Sequence, residues 1–223
     1  MKKVIVVSAH PDDEILGCGG TLIKHIENGD QVDWLITTSI FISQGFSQER
    51  IDLREKEIET IKNKLGFNLV YRLDYPTMSL SDESLIKMIP TISDIFNDSK
   101  PEIIYLLNRS DAHSDHNITF RSVMACTKSF RYPFVKRILM YECISETEFG
   151  PALPENIFIP TYFVDISKFR DKKNELMKVY SSELGEHPFP RSIRNMDALS
   201  TYRGATIGVE FAEAFQVLKW IDK

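Results

Sequence analysis

Two short stretches of this sequence hold the residue types that metal-assisted hydrolysis needs. The first is Ala9-His10-Pro11-Asp12-Asp13-Glu14; the second is Asn108-Arg109-Ser110-Asp111-Ala112-His113-Ser114-Asp115-His116-Asn117. Histidine offers a neutral nitrogen and aspartate a hard anionic oxygen, both good ligands for zinc. Adjacent carboxylates can divide the work, one binding metal while its neighbour takes a proton from water. A catalytic zinc site keeps three protein ligands and an open position for water. His10, Asp13 and one of His113 or His116 supply that set. The remaining histidine is then free to polarise a substrate carbonyl or to protonate a leaving amine.

Each cluster alone has a plainer reading. Asp12 and Asp13 can simply cap a helix, because negative charge is stabilised at a helix N-terminus. That reading leaves His10 without a purpose. His113 and His116 stand three residues apart, on neighbouring faces of a helical turn, and a lone pair of this kind is often incidental. The two clusters together favour chemistry. The sequence contains no GxSxG, and no cysteine adjoins a histidine. His25 and His187 lack such context, and His25 is expected on the surface of the first helix.

Positioning these residues requires strands that end at them. Val4 to Ser8 is a continuous apolar run, as in a strand buried on both faces. Ile103 to Leu107 is another, and the second cluster follows it directly. In open α/β sheets, ligands sit at the carboxyl ends of strands. Between these strands the sequence predicts a helix over Gly17 to Asn28 and a strand over Gln31 to Thr38. A charged helix follows over Gln48 to Leu65, then a strand over Asn68 to Arg72. A helix capped by Ser81 should run to about Asn97, kinked or broken at Pro90. Asn117 to Phe130 reads as helix and Lys136 to Cys143 as strand. After Gly150 the pattern is less regular. Helices are expected from Ser167 to about Ser181 and from Ser192 to about Tyr202, with a last strand at Ala214 to Leu218. Strands alternating with helices imply βαβ units and a mostly parallel, Rossmann-like sheet flanked by helices. The less regular C-terminal part should complete the site, and residues 1–223 are expected to form a single domain.

Composition narrows the class. The chain has 223 residues, 43% hydrophobic and 26% charged, with a formal net charge of -5. That is an ordinary soluble balance. An acidic chain without a basic stripe is a poor binder of nucleic acid. No stretch reaches the roughly 20 apolar residues of a membrane helix, so no transmembrane segment is expected. The three cysteines, Cys18, Cys126 and Cys143, are odd in number and lack CxxC spacing. This fits a reducing, cytoplasmic setting. Nothing in the sequence sets the oligomeric state.

The motif His10-Pro11-Asp12-Asp13-Glu14 with Gly17, Gly19 and Gly20, followed about a hundred residues later by His113-Ser114-Asp115-His116-Asn117, resembles the PIG-L/LmbE-like N-deacetylases. Arg54-Glu55-Lys56-Glu57 resembles that family's RxxE helix. Ala212-Glu213-Ala214-Phe215 with Arg203-Gly204 resembles its C-terminal segment. Members remove acetyl groups from N-acetylglucosamine linked to phosphatidylinositol, inositol or malate, from chitooligosaccharides, or from antibiotic intermediates. The resemblance implies a Rossmann-like fold and a zinc site of His10, Asp13 and His116, with iron or another divalent metal as alternatives. It implies Asp12 as general base, His113 as oxyanion stabiliser or acid, and Arg54 in the substrate pocket. The implied partner is a small N-acylated sugar. Where several relatives carry an apolar-Pro-Asp-Gly stretch, this chain has Leu73-Asp74-Tyr75-Pro76-Thr77-Met78. The Tyr75 to Met78 loop and residues 183–194 should shape substrate choice.

Two other classes fit parts of the pattern. Two histidines and a carboxylate also make the facial triad of non-haem iron oxygenases, but oxygen chemistry does not require a base at Asp12. A non-catalytic α/β module could hold a sugar or phosphate at the glycine-rich turn. Gly17-Cys18-Gly19-Gly20 is not GxGxxG, however, and a binder has no use for ligands plus a base.

Overall fold

A seven-stranded sheet forms the middle of the molecule, and its central strands are the two apolar runs that end in chemical clusters. The structure is a computed structural model and describes residues 1–222. Strand β1 (Lys3–Ser8) leads into helix α1 (Asp13–Glu27), then β2 (Gln31–Ser39) and α2 (Gln48–Ile61). Next come β3 (Val70–Pro76), α3 (Asp82–Ser99), β4 (Ile103–Leu107), α4 (Ser114–Ala125) and β5 (Arg137–Tyr141). The remainder holds β6 (Tyr162–Asp165), α5 (Arg170–Met177), α6 (Ile193–Ile207) and β7 (Ala212–Trp220). Strand order is β3-β2-β1-β4-β5-β7-β6. The first five strands are parallel, and β7 runs antiparallel to both β5 and β6.

The alternation of side chains along each strand builds two cores. Val4, Val6, Trp34, Ile36 and Tyr105 face α1, α2, α5 and α6, whereas Ile5, Val7, Leu35, Ile104 and Leu106 face α3 and α4. The chain leaves β1 first toward β2 and later returns to its other side as β4. The gap between the ends of β1 and β4 is therefore a topological switch point, where doubly wound sheets bind ligands.

Helix α1 begins at Asp13, four residues before the expected start, and kinks at Cys18 (φ -147°). The kink frees backbone groups, and two distant side chains take them. Glu213 of β7 accepts from the Gly20 and Thr21 N–H groups at 2.9 and 2.7 Å. Lys173 of α5 donates to Leu16 O at 3.0 Å and to Glu213 at 2.7 Å. Glycine is needed at position 17, where a Cβ would come 2.1 Å from the Tyr141 ring, and at position 20, where it would meet Ile166 at 2.8 Å.

Other expectations shift at the edges. Helix α3 runs unbroken through Pro90. Pro90 lies on the exposed side, so water can serve the carbonyl it leaves unpaired, while Met88, Ile92 and Phe96 are buried opposite. Strand β6 was not foreseen. His25 is a correction: its ring is largely buried, 2.8 Å from Asp30 Oδ2 and 2.9 Å from the Tyr105 hydroxyl. No helix among the described residues is long and apolar enough to cross a membrane.

Candidate active site

Beyond β1 the chain passes His10 and Pro11 and reaches Asp12, whose backbone sits at φ 136°, ψ -30°. Few L-residues adopt this region, and such strain costs on the order of 1–3 kcal/mol. Asp12 O accepts from Ile15 N and Leu16 N at 3.0 and 2.9 Å and so opens the helix. Its side chain makes no capping hydrogen bond and lines a cavity of about 340 Å³. The capping role is thus met by the backbone, which leaves the carboxylate for the cavity.

Asp13 is oriented differently. Its Oδ2 accepts from the Ala9 and His10 N–H groups at 2.9 and 2.8 Å. Its Oδ1 is left 3.3 Å from His116 Nε2. His116 is fully buried, and its Nδ1 lies 2.8 Å from Asp111 Oδ2. His10 Nε2 similarly meets Asp115 Oδ2 at 3.2 Å. In the neutral form that donates to its carboxylate, each ring would leave one nitrogen lone pair for a cation, whereas without a cation Asp13 and Asp111 outweigh burial and push the His116 ring toward its protonated form. Ligand atoms of His10, Asp13 and His116 lie within 4.8 Å of one another.

The set fits a divalent cation. His116 Nε2 is buried and makes no hydrogen bond, a state that costs about 1–3 kcal/mol unless something fills the gap. Two nitrogens and a carboxylate oxygen, each histidine backed by a carboxylate, form the donor set and support that zinc sites use. A second set, His10, His113 and Asp115, is equally close. There, however, Asp115 already accepts from Met78 N at 2.7 Å and Leu80 N at 3.1 Å.

His113 completes the wall. Its Nδ1 accepts from Asp115 N at 3.1 Å, so the neutral ring carries its proton on Nε2. Burial, reinforced by the neighbouring His10, lowers its pKa to about 4. The ring is therefore a neutral hydrogen-bond donor near pH 7. Burial and the adjacent Asp13 push the Asp12 carboxyl well above the usual carboxylate range. Burial would raise Asp13 too, but the His116 and His10 rings outweigh it and hold Asp13 low.

Arg54 also lines the cavity, yet its guanidinium is engaged by the protein. Nη1 donates to Pro11 O at 2.7 Å, Nη2 to Glu183, and Nε lies 3.3 Å from Glu57 Oε2. Thr77, Met78, Glu183 and Arg191 complete the lining from the two anticipated segments. Tyr75 instead packs against the α3 and α4 core. Sequence reasoning missed Asp111 and Asp115 as supports. Their signal was their place inside the histidine cluster, flanking each ring with a carboxylate.

Behind Asp12 sits a buried carboxyl, Glu14. It accepts from Tyr180 OH at 2.7 Å and from Asp12 N at 3.1 Å. Burial raises its pKa from 4.5 to about 7. The folded chain therefore keeps a proton here that the unfolded chain releases. Stability from this group is present below the unfolded pKa and is lost as pH rises through the folded one. Glu14→Gln should remove that slope. Thermal denaturation at about pH 5 and about pH 8 should show a Tm loss on the alkaline side that is smaller in the variant. Equal losses would sink this account of Glu14.

Comparisons with known proteins place the chain in a family. The family model described as PIG-L, GlcNAc-PI de-N-acetylase, matches residues 5–127. The diacetylchitobiose deacetylase of Thermococcus kodakarensis is 23% identical over 228 residues, spanning 99% of this chain and 85% of that protein. The structure of N,N'-diacetylchitobiose deacetylase from Pyrococcus horikoshii superposes with TM-score 0.77 at 21% identity, covering 98% of this chain and 84% of the other. The 4-carboxy-2-hydroxymuconate hydratase of Pseudomonas putida shares the fold with TM-score 0.71 at 19% identity, covering 100% and 98%. The fold thus hosts more than one chemistry, and the site must decide between them.

Proposed function

The chain belongs to the PIG-L family of GlcNAc-PI de-N-acetylases, and on that footing we propose that it is a divalent-metal hydrolase removing the acetyl group from an N-acetylated sugar conjugate. One observation carries the reading. At the switch point between β1 and β4, His116 presents a buried, unpartnered nitrogen to Asp13 Oδ1. Asp12, beside it, turns its carboxylate into the cavity.

His10, Asp13 and His116 would hold the cation, with zinc the first choice and iron an alternative. When bound, it supplies Lewis acidity toward the acyl oxygen and toward water. The remaining steps belong to the protein. Asp12 accepts a proton as water attacks the acetyl carbonyl carbon. His113 Nε2–H donates to the oxygen that gains charge as the tetrahedral intermediate forms. The Asp115 N–H at His113 Nδ1 keeps that tautomer in place. Asp12 then returns its proton to the nitrogen as the C–N bond breaks, giving acetate and a free amine. The cavity, about 340 Å³, is within the range of small-ligand sites. Relatives that act on diacetylchitobiose support an amino sugar as the acylated group. The odd set of three cysteines supports a cytoplasmic setting.

A hydratase shares the fold and would also activate water, so the test must separate the two. Purified protein should be given N-acetylated sugars that are free, nucleotide-linked or lipid-linked, with acetate measured as product. One class should turn over with kcat/KM of at least about 10⁴ M⁻¹ s⁻¹. Turnover should be oxygen-independent, should stop with chelator and should return with metal. Absence of acetate, together with water addition to an unsaturated acid, would replace this reading with the hydratase one.

A further inference from the structure

The peptide bond between Pro11 and Asp12 is held at both polar ends by buried polar side chains. Pro11 O accepts from Arg54 Nη1 at 2.7 Å. The N–H of the same peptide, on Asp12, donates to Glu14 Oε2 at 3.1 Å. Arg54 is 8% exposed and Glu14 is 0% exposed. Directly after this peptide comes the φ of 136° at Asp12. Rotating the peptide to relieve that angle would take its carbonyl from Arg54 and its N–H from Glu14. The peptide's own carbonyl and N–H would then lose their partners, which is costly in a buried place. The strained conformation persists because its surroundings over-determine it.

Each jaw is braced from one short segment after α5. Tyr180 OH donates to Glu14 Oε1 at 2.7 Å. Glu183 accepts from Arg54 Nη2 and from Arg50 Nη2, the latter at 2.7 Å. The Arg54 guanidinium lies 5.8 Å from the centre of the Tyr180 ring. The irregular C-terminal half thus reaches the first motif through its backbone.

We propose that Arg54 and Glu14 clamp the Pro11–Asp12 peptide and thereby aim the Asp12 carboxylate into the cavity, with Tyr180 and Glu183 as braces. Arg54 is then a positioning residue and not the group that grips an anion of the substrate. The inference rests on Asp12 being the general base. Neighbouring carboxylates with separate tasks must diverge. Asp13 folds back onto the Ala9 and His10 N–H groups, and the unusual φ at Asp12 sends its carboxylate elsewhere.

Steady-state kinetics on the metal-loaded protein test this. Arg54→Gln should lower kcat by about 100-fold, as a misplaced catalytic group does, with KM changed less than about twofold. In an Asp12→Asn background the same substitution should cost less than about threefold, because its route of action is already gone. Glu14→Gln keeps an acceptor oxygen and should stay within about threefold of wild-type kcat, whereas Glu14→Leu should not. A raised KM with intact kcat would make Arg54 a substrate ligand and overturn the clamp. An undiminished loss in the Asp12→Asn background would overturn it too.

A second measurement needs neither metal nor substrate. In metal-free protein, Asp12→Gly should melt about 2–4 °C above Asp12→Asn, since both lose the charge but glycine alone loses the strain. Adding Arg54→Gln should shrink that excess by at least half, because the released peptide has already relaxed. An unchanged excess refutes the clamp even if no acetylated sugar turns over. A shrinking excess without acetate release supports the clamp and rejects the deacetylase reading instead.

Discussion

His10→Ala, Asp13→Ala and His116→Ala should each purify with little bound metal and lose more than about 10³-fold in activity. A three-ligand site has no spare partner, so one missing donor removes a third of the set. His116 should be the most severe. Its Nε2 is buried and makes no hydrogen bond. Asp111→Asn and Asp115→Asn offer a graded comparison. They leave all three donors but weaken the carboxylates that orient His116 and His10, and should cost about 10–100-fold in metal affinity. Metal analysis and acetate release on the same preparations decide the matter. Full metal content in His116→Ala would mean that the cation sits elsewhere, with the His10, His113 and Asp115 set as the first place to look.

Asp12→Asn should behave in the opposite way toward metal. It should keep its cation and lose about 10²–10⁴-fold in kcat, the usual contribution of a general base. The amide has nearly the same shape but cannot accept the proton of water. Asp12 makes no capping hydrogen bond, so the helix should not suffer. The pH profile adds a second readout. A base works when deprotonated, so the rate should rise with pH through the pKa of that base. Burial and the neighbouring Asp13 put that acid limb above the ordinary carboxylate range. The limb reports Asp12 and the activated water as a coupled system, and Asp12→Asn should shift or flatten it. Loss of metal would instead make Asp12 a ligand. Retention of both metal and rate would leave Asp12 with no role beyond the backbone carbonyl that opens α1.

The metal-site candidates were legible because few pressures other than chemistry put histidine and paired aspartates at the ends of apolar strands. Asp12 and Asp13 are the same residue type, so a division of labour between them could be expected from the sequence, but which does which came from the family resemblance. What holds Asp12 in place could not be read there. Arg54 and Pro11 lie 43 residues apart, and no periodicity in either segment encodes that contact. The start of α1 was placed at Gly17, four residues late, and the groups that stabilise the kinked helix, Lys173 and Glu213, come from the far end of the chain. Strand β6 escaped notice because Tyr162–Asp165 is only four residues, at a sheet edge and partly exposed. Pro90 misled in the other direction: its local preference to break a helix yields to the packing of Met88, Ile92 and Phe96.

The two halves of the proposed metal site hang from adjacent strands that are distant in the chain. Val4, Ile5 and Val6 pair with Ile103, Ile104 and Tyr105, and only that pairing brings Asp13 to His116. Contacts of such sequence separation pay their loop-closure entropy before any reward and limit how fast a chain folds. A cation has little to bind until β1 and β4 have docked, so it cannot guide the early search. Its stabilisation falls on the native state, and so it acts mainly on the rate of escape: the metal prolongs the lifetime of the folded protein while leaving the rate of folding nearly unchanged.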